Sequence, residues 1–352
     1  MANKQRGISS YITNLLINYK EFNTNPNTKI ILFSDRLPQN DILKLNFDLI
    51  ILPIKIYPLW DFIIPFILFF SKINLLHSPG NSSPIFKLGK IKYIVTIHDL
   101  IFFNTEFSGN LYQKIGRFYL KFNLWFNISK IDKIISVSNS TKFDLIKTFN
   151  LDEFKIRVIY ESCHLDFFSE FKGPFFSLNN FICFGSDDPR KNTEFILKGF
   201  DSFFQKHKNF HLDVVGLPDK CIPKIKARLR LVNERNFRFH SFITRPQLLS
   251  LYERSIALVY PSLYEGFGIP LIEAFKTSTP VITSNLSSLP EISNGASILI
   301  DPYSSEEFLQ ALDFILVKEN YDFFSVKSRR RANDFDWKIF SKETYNLYHE
   351  EL

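Results

Sequence analysis

Residues Tyr260–Glu273 read YPSLYEGFGIPLIE, and they join an apolar strand to the start of a helix. The run Ile256–Tyr260 is short and apolar, which is typical of a buried strand. Gly266 and Gly268 permit a tight turn with a closely approaching backbone. Pro270 suits a first helical position, because its missing N–H costs nothing there. The free amides of such a helix start, together with its dipole, predict a seat for a phosphate or a sugar hydroxyl.

Two carboxylates bracket this glycine turn. We expect Glu265 to lie in the loop and Glu273 in the first helical turn, so that both can face one crevice. An ordinary strand–turn–helix connection with an incidental acidic pair would require both the glycine pattern and the carboxylate spacing to be accidental. The stretch therefore favours a ligand site.

Length and composition indicate a globular chain of two domains. The 352 residues exceed one ordinary core. Hydrophobic residues make up 45% of the chain and the mean hydropathy is −0.04, which excludes a disordered or fibrous class. Cys163, Cys183 and Cys221 are widely spaced and odd in number, so they predict neither a disulfide framework nor a metal site. A reducing cytoplasm fits this pattern.

Positive charge is concentrated in the first half of the chain. Residues 1–170 carry 20 Lys and Arg against 14 Asp and Glu, whereas residues 171–352 carry 23 against 22. The apolar run Phe62–Phe70 is too short to span a bilayer. It predicts a core helix, or alternatively a surface helix that dips into lipid beside basic residues. Peripheral membrane contact is expected because Phe62–Phe70 lies within this basic half of the chain. Nucleic-acid binding is not expected, because the cations form no dense cluster with interleaved aromatics.

Short apolar strands alternate with amphipathic helices, which predicts parallel α/β layers. In the first half the predicted strands are Lys29–Ser34, Leu49–Leu52, Ile73–His77, Tyr93–His98, Lys133–Val137 and Arg157–Tyr160, and the helices are Ile8–Asn18, Asp61–Lys72, Leu111–Phe126 and Ser140–Thr148. In the second half the strands are Phe181–Phe184, His211–Val215, Phe237–His240, Ala257–Tyr260, Val281–Thr283 and Ser297–Ile300, and the helices are Thr193–Lys206, Arg245–Arg254, Pro270–Phe275 and Ser305–Val317.

These elements predict two facing Rossmann-like, doubly wound domains with a central cleft. We assign residues 1–170 to the first domain, 171–180 to a linker rich in turn residues and 181–335 to the second domain. Residues 336–352 are expected to form a helix that packs back on the first domain. Only six residues precede Gly7, so the first strand of that domain is expected to be short or missing.

A second segment, Phe184–Asn192, follows a strand and precedes a helix. Gly185 permits a turn there, and Arg190 with Lys191 offers adjacent cations that suit a diphosphate. Arg-Lys in a loop is usually solvated surface. We expect Glu265 on the same sheet edge, however, and the two segments together indicate a ligand site much more strongly than the cations alone.

Polar side chains also end strands in the first half. His98 and Asp99 follow one predicted strand, and His77 ends another. A strand-end histidine is as often structural as functional. Ser138 or Asn139, at the end of a third strand, is best interpreted as a helix N-cap.

Taken together, these residues resemble the retaining GT-B glycosyltransferases of family four. The segments that carry the resemblance span nearly the whole chain: Arg6-Gly7-Ile8 with Tyr11, His77-Ser78-Pro79, His98-Asp99, Ser136–Ser140, Pro189–Asn192, Leu248–Tyr252, Tyr260–Ala274, Pro280-Val281 and Leu289–Glu291. Two glutamates with seven residues between them are that family's hallmark. The chain departs from the family pattern at Ser278 and Asn294, where glycine is usual.

The resemblance implies a nucleotide-diphosphate sugar on the second domain and the acceptor on the first. Catalytic roles would fall to Glu265, His98, Lys191 and Arg190, with Arg190 and Lys191 neutralising the leaving diphosphate. Donor-binding residues would be Gly7, Gly185, Arg190, Lys191, Gly266, Phe267, Gly268, Ile269 and Glu273, with Glu273 holding the ribose. His77 and Asp99 would lie on the acceptor side. Neither a metal nor another cofactor is expected.

The resemblance favours transfer of a hexose, with retention, to a glycan or lipid-linked glycan of a surface polysaccharide such as lipopolysaccharide. Mannose from GDP-mannose is the favoured donor sugar, and UDP sugars are the alternative. Two further alternatives stay open: a non-catalytic sugar-nucleotide or glycan-binding protein of the same fold, and a sugar-nucleotide epimerase. The expected location is cytoplasmic, on the inner face of the membrane.

Overall fold

The computed structural model describes residues 7–22, 28–35, 37–38, 40–45, 47–52, 57–104, 111–163 and 179–352. The chain divides into two compact units: residues 1–162 with 336–352, and residues 163–335. The expected first strand before Gly7 and residues 171–178 of the expected linker lie outside the described residues.

Parallel strands form the centre of the first unit. Strands β1 (Ile31–Ser34) and β2 (Asp48–Ile51) pair with each other. Strands β3 (Leu75–Ser78), β4 (Lys92–Ile97), β5 (Lys133–Ser136) and β6 (Ile156–Val158) form a four-stranded sheet in that order. Tyr93–Ile97 is buried throughout, as expected for a parallel strand covered on both faces.

Helices connect these strands. They are α1 (Gly7–Phe22), α2 (Asn40–Leu43), α3 (Tyr57–Phe69), α4 (Ile101–Asn104), α5 (Leu111–Asn127) and α6 (Asn139–Phe149). Ser138 caps α6 by accepting a hydrogen bond from the Thr141 amide at 3.0 Å, which confirms one of the two predicted caps.

Helix α3 has one buried side and one exposed side. Ile64 and Leu68 are buried in a core cluster with Tyr93, whereas Phe62 and Phe66 are 46% and 45% exposed. The helix is therefore half core and half surface. Across the described part of the chain, no helix is long and apolar enough to cross a bilayer.

The second unit contains one six-stranded parallel sheet. Its strands are β7 (Asn180–Phe184), β8 (His211–Val215), β9 (Phe237–His240), β10 (Ala257–Tyr260), β11 (Val281–Ser284) and β12 (Ile298–Ile300). The spatial order is β12-β11-β10-β7-β8-β9, so the chain winds first to one side of β7 and then returns to the other. Ligands of such sheets bind outside the strand C-termini at this reversal, between β7 and β10.

Helices cover both faces of this sheet. They are α7 (Thr193–Lys206), α8 (Ile222–Leu229), α9 (Arg245–Glu253), α10 (Ile269–Lys276), α11 (Leu289–Ser293), α12 (Ser305–Ile315) and α13 (Lys318–Ala332). Part of the chain's abundant phenylalanine lies in the core here, where Phe181, Phe200, Phe204 and Phe308 are fully buried.

The helix that follows the second unit, α14 (Trp337–Glu351), belongs to the first unit. Phe340 packs edge-on against Tyr11 of α1 with ring centroids 4.8 Å apart. Both rings are buried in one cluster with Ile94 and Ile135 of the sheet. The core of the first unit is thus built from both ends of the described chain.

The α/β architecture and most predicted elements are confirmed. The bounds of β8, β9, β10 and α7 match the prediction, and the other predicted elements differ by one to four residues at their ends. The predicted start of α10 at Pro270 was wrong by one residue. Gly268, with φ +117°, is the N-cap of this helix. The helix therefore begins at Ile269, which places Pro270 second and Glu273 in the second turn.

Ser278 holds a left-handed backbone conformation with φ +56°, at a place where the family usually has glycine. The Ser278→Gly variant is expected to stabilise the second unit by about 1 kcal/mol, because glycine adopts this conformation without strain. The melting temperature should rise by about 2–4 °C. Ser278→Ala is the matched control, since it removes the same hydroxyl but keeps Cβ. A melting temperature of Ser278→Gly no higher than that of Ser278→Ala would contradict the prediction.

Candidate functional site

The C-terminal edge of the second sheet brings the two predicted segments together. The loop after β7 includes a short 3-10 helix, Pro189–Lys191, and the loop after β10 leads to α10. The carbonyl of Arg190 accepts hydrogen bonds from the Leu263 amide at 2.8 Å and from Ser262 Oγ at 2.9 Å. These bonds fix the cationic segment against the acidic one at the point where the strand order reverses.

The Glu265 carboxylate lies at the centre of this edge. Its Oε1 accepts hydrogen bonds from Lys191 Nζ at 2.6 Å, Tyr260 Oη at 2.7 Å and Ser262 Oγ at 2.5 Å. Lys191 Nζ also donates to Tyr260 Oη. All three donors reach the same oxygen, and within the part of the chain that the structure describes no hydrogen bond to Oε2 is seen, so Oε2 can accept from a ligand. The Glu265 side chain is 12% exposed, which shields its charge from bulk water.

Tyr260 remains a hydrogen-bond donor in this network. Burial raises the pKa of its hydroxyl well above the usual value, and the nearby Glu265 carboxylate raises it further. The hydroxyl therefore keeps its proton and holds Glu265 in one orientation.

Two serines hold the backbone of the glycine turn. Ser287 Oγ donates to the Glu265 carbonyl at 2.6 Å, and Ser288 Oγ donates to the Phe267 carbonyl at 2.7 Å. Phe267 is buried and contacts Phe335 edge-on at 5.9 Å. Gly268 has φ +117°, a backbone conformation that favours glycine, and a Cβ there would lie 3.0 Å from a Leu289 methyl, which would have to shift slightly. The turn is thus rigid before any ligand binds.

Arg190 is paired with a residue that the sequence analysis did not single out. Its Nε and Nη2 donate to the Asp188 carboxylate at 3.1 and 2.6 Å. Burial raises the pKa of Asp188, but the hydrogen bonds and charge of Arg190, together with Lys191, outweigh burial and hold the pKa below its usual value. Nη1 points instead towards the Tyr264 carbonyl, at 3.4 Å. Arg190 is therefore oriented along the loop that carries Glu265.

Gly185 has a packing role. A Cβ there would lie 2.8 Å from Val214 Cγ1 and 3.1 Å from Leu217 Cβ. The Gly185 amide also donates to the Val215 carbonyl at 2.8 Å. This glycine lets β7 and β8 end in close contact beneath the cationic loop. A direct contact with the donor stays a prediction.

Glu273 lies behind the glycine turn, on α10. Its Oε2 accepts a hydrogen bond from Tyr252 Oη of α9 at 2.9 Å. Burial raises the pKa of Glu273 to about 7, although the Tyr252 hydrogen bond and the charge of Arg245 lower it in part. The carboxyl is thus poised to change charge near neutral pH.

We expect nucleotide affinity to fall as pH drops through 7. The resemblance assigns the donor's ribose to Glu273, and a ribose hydroxyl would donate better to the carboxylate than to the neutral acid. On that assignment UDP or GDP should bind about tenfold more weakly at pH 6 than at pH 8. Isothermal titration calorimetry across this range measures the effect. Glu273→Gln is the control, because it retains the titration of the diphosphate but not that of residue 273. Equal pH slopes for the two proteins would refute the assignment.

The free energy of unfolding should also depend on the titration of Glu273, but in the opposite direction from nucleotide affinity. The pKa of Glu273 is about 7 in the folded protein and 4.5 ordinarily. The folded state therefore binds more protons between these values, and its stability falls as pH rises from 4.5 to 7.

In the first unit, His98 follows β4 and is held on two sides. Its Nε2 donates to the Pro79 carbonyl at 2.9 Å, and its Nδ1 lies 4.0 Å from Glu161 Oε2. Glu161 is 8% exposed, and burial raises the pKa of its carboxyl while the charge of His98 lowers it. The Tyr11 ring packs edge-on against the imidazole at 5.0 Å. A role for His98 in transfer stays a prediction.

His77 and Asp99 have structural partners. His77 Nε2 lies 2.8 Å from Thr96 Oγ1, and Nδ1 bonds to the hydroxyl of Tyr348 on α14. Burial, with a smaller contribution from the charge of His98, lowers the pKa of His77 to about 3, so the ring stays neutral. Asp99 Oδ1 accepts from the Ile101 amide at 3.1 Å and so caps α4. Their acceptor-side roles stay predictions.

Sequence reasoning missed several residues that complete these sites. Tyr260 and Ser262 stand inside the quoted stretch, and their spacing from Glu265 was the available signal. Tyr252 lies in a segment that carries the resemblance, but nothing in the sequence indicates its bond to Glu273. Asp188 and Glu161 gave no signal, because they act by orienting other side chains. Among the residues that the structure describes, no group of three or more His, Cys, Asp or Glu could hold a metal ion.

A doubly wound sheet with two carboxylates beside two cations at its C-terminal edge agrees with the resemblance to the GT-B glycosyltransferases. Solved structures of that class have the same fold. A glycosyltransferase from Rickettsia africae has a TM-score of 0.71 at 17% identity, covering 98% of this chain and 96% of that one. WaaG, a glycosyltransferase involved in lipopolysaccharide biosynthesis, has a TM-score of 0.69 at 16% identity, covering 97% and 95%.

Sequence comparison specifies the family. Residues 170–333 match the family described as glycosyl transferases group 1, and residues 33–167 match Glycosyltransferase Family 4. The chain belongs to the group 1 glycosyltransferases of family four.

Its curated relatives include two O-antigen enzymes. O-antigen chain mannosyltransferase RfbU of Salmonella typhimurium is 28% identical over 218 residues, which cover 62% of this chain and 59% of that protein. O-antigen chain mannosyltransferase B of Escherichia coli is 24% identical over 272 residues, covering 72% and 69%. This chain thus matches less than two thirds of the Salmonella protein's length.

Proposed function

We propose that this protein transfers a hexose from a nucleotide-diphosphate sugar to a glycan or lipid-linked glycan in surface polysaccharide synthesis. The observation that carries the proposal is the Glu265 carboxylate, oriented through one oxygen by Lys191, Tyr260 and Ser262 at the glycine turn. Mannose is the favoured sugar and GDP-mannose the favoured donor, because the relatives above are named as mannosyltransferases.

In the proposed reaction the bond between the sugar's anomeric carbon and the diphosphate oxygen breaks. A bond from that carbon to an acceptor hydroxyl oxygen forms on the same face, and the hydroxyl proton passes to the departing diphosphate oxygen. Negative charge develops on the departing diphosphate, and groups fixed in advance near that charge lower the barrier. Lys191 and Arg190 supply cations, and the start of α10 supplies free amides. Side-chain cations thus take the part that a metal ion could otherwise play.

Glu265 has a different part in this scheme. Its free Oε2 would accept a hydrogen bond from a hydroxyl of the transferred sugar and so fix the anomeric carbon. Glu273, poised near neutrality, would accept from the ribose. The two carboxylates therefore bind opposite ends of one donor molecule.

A donor screen with product analysis tests the proposal. Purified protein is offered GDP-mannose and a panel of UDP sugars, first without and then with lipid-linked glycan acceptors. We expect acceptor-dependent release of GDP, and an NMR spectrum showing the donor's anomeric configuration in the product. EDTA should leave the rate unchanged. Donor binding without transfer across all acceptors would favour a binding protein, and a changed sugar without any acceptor would favour an epimerase.

A further inference from the structure

Exposed aromatic rings are concentrated on two helices of the first unit. Phe62 and Phe66 of α3 are 46% and 45% exposed, and Phe86 is 38% exposed in the loop after β3. On α5, Phe118, Phe122 and Trp125 are 72%, 48% and 71% exposed. We call these six side chains the aromatic face. Single exposed apolar residues are ordinary, but a contiguous group marks an interaction surface.

The two helices are linked by hydrogen bonds. Asp61 of α3 accepts from Tyr119 Oη at 2.5 Å and from Asn123 Nδ2 at 3.3 Å, both on α5. Asn123 also donates to the Ser83 carbonyl at 2.8 Å. These bonds fix α3, α5 and the loop after β3 as one body, which holds the rings of the aromatic face in place.

Ring contacts join α3 to the loop after β3, and a depression beside Lys130 connects this loop with the end of α5. Phe86 packs against Phe62 and Phe66 with centroids 5.6 and 6.5 Å away. Phe86 and Lys130 line one open depression, and Lys130 Nζ lies 3.8 Å above the Phe126 ring. Phe126 stacks in turn on Phe122 at 5.8 Å. The aromatic face is therefore continuous from α3 to α5.

The segments that form the aromatic face have a strongly positive net charge. Within residues 57–104 and 111–133, nine Lys and Arg face three carboxylates. All three carboxylates are occupied: Asp61 is buried between the helices, Asp99 caps α4 and Asp132 pairs with Lys87 at 2.5 Å. Lys72, Lys90 and Lys114 are exposed. The segments that form the aromatic face thus also carry exposed cations, and Lys130 lies over Phe126, which stacks on Phe122 of that face.

We propose that the aromatic face binds the surface of an anionic lipid membrane. Rings of Phe and Trp enter the boundary between headgroups and acyl chains, while lysines attract anionic headgroups at about 1 kcal/mol each. A second copy of this chain is a poorer occupant, because a two-fold interface would place the same cations opposite one another. The inference rests on the proposed function in one respect, because it names the surface that brings the protein to a membrane containing a lipid-linked acceptor. Binding to vesicles can be measured independently of sugar transfer.

Sedimentation with vesicles tests the inference. The probe is phosphatidylcholine vesicles with and without phosphatidylglycerol, at low and high salt. We expect binding to the anionic vesicles at low salt, and at least about tenfold weaker binding by the triple variant Phe118→Ser, Phe122→Ser, Trp125→Ser. The matched control replaces three exposed rings elsewhere, Phe154, Phe314 and Phe323, by Ser. Failure of the native protein to sediment, or equal binding by the two triple variants, would overturn the inference.

Fluorescence reports on the face directly. A protein with Trp60→Phe and Trp337→Phe keeps Trp125 as its sole tryptophan. Its emission should shift to the blue with anionic vesicles, since the indole leaves water. An unshifted emission while the protein sediments would overturn the assignment to this face, as would a dimer in solution that the triple variant dissolves.

Transfer assays separate this inference from the proposed function. The triple variant should retain full transfer to a short water-soluble acceptor and lose transfer to a membrane-embedded one. Vesicle binding without any transfer would reject the proposed function alone. Transfer by native protein that never binds vesicles would reject the aromatic face alone.

Discussion

Glu265→Gln is expected to lower kcat for sugar transfer at least about 100-fold, and Glu265→Ala or Lys191→Ala to abolish transfer. The amide that replaces the carboxylate has one accepting oxygen, and the three donors already converge on that oxygen. The variant then has no oxygen left for a sugar hydroxyl. Losing one fixed polar contact at a reacting centre costs a factor of about 10²–10³. Initial rates with the donor identified by the screen measure the loss.

The Glu265→Gln variant separates chemistry from folding. Because it keeps the side-chain volume, its melting temperature and its affinity for free GDP or UDP should stay close to native. Glu319→Gln, an exposed carboxylate on α13, is the matched control and should transfer at the native rate. Native turnover by Glu265→Gln or by Lys191→Ala would remove these residues from the mechanism.

Asp213→Ala is expected to destabilise the second unit by about 3 kcal/mol. Asp213 is fully buried in β8, where it accepts from His240 Nε2 at 2.7 Å and from Arg254 Nη2 at 3.4 Å. Removing one partner of a buried pair leaves the other uncompensated, which costs about 3–5 kcal/mol. The lower value applies because His240 and Arg254 are 28% and 41% exposed and can regain water. The melting temperature should fall by about 6–12 °C.

The chain supplies a matched control for this change. His207 and Asp313 form a second histidine–aspartate pair at 3.0 Å, but Asp313 is 55% exposed. Asp313→Ala should cost less than about 1 kcal/mol, since exposed pairs contribute little. If both alanine variants have the same melting temperature, the buried ion pair of Asp213 contributes no more to stability than the exposed pair of Asp313.

The fold could be predicted because its strands are short apolar runs bounded by turn residues. Ala257–Tyr260 is buried at every position, so its composition alone marked it as a strand. Helix α13 was not predicted: its sequence, KENYDFFSVKSRRRA, is highly charged and its apolar residues do not follow one helical face. Tertiary packing against α10 and α12 stabilises such a helix, and single-sequence patterns do not contain that information.

The site was predictable only where its residues are close in sequence. Glu265 and Glu273 were evident because a glycine turn and a helix start lie between them. By contrast, Tyr252 contacts Glu273 from another helix, and Glu161 faces His98 across 63 positions of chain. Asp213 lies within an apolar strand, and the sequence around it does not indicate that its carboxylate has buried partners. Long-range side-chain partners require the folded sheet to be known first.

The return of α14 to the first unit has a consequence for how the protein is made. Domains usually fold in the order in which the ribosome releases them. Here Phe340 and Tyr348 complete the core around Tyr11 and His77, yet they are synthesised after the whole of the second unit. The unit encoded later can therefore close first. Until α14 has been synthesised, the apolar cluster around Tyr11 in the first unit lacks Phe340. Exposed apolar surface of this kind makes a nascent chain prone to aggregation.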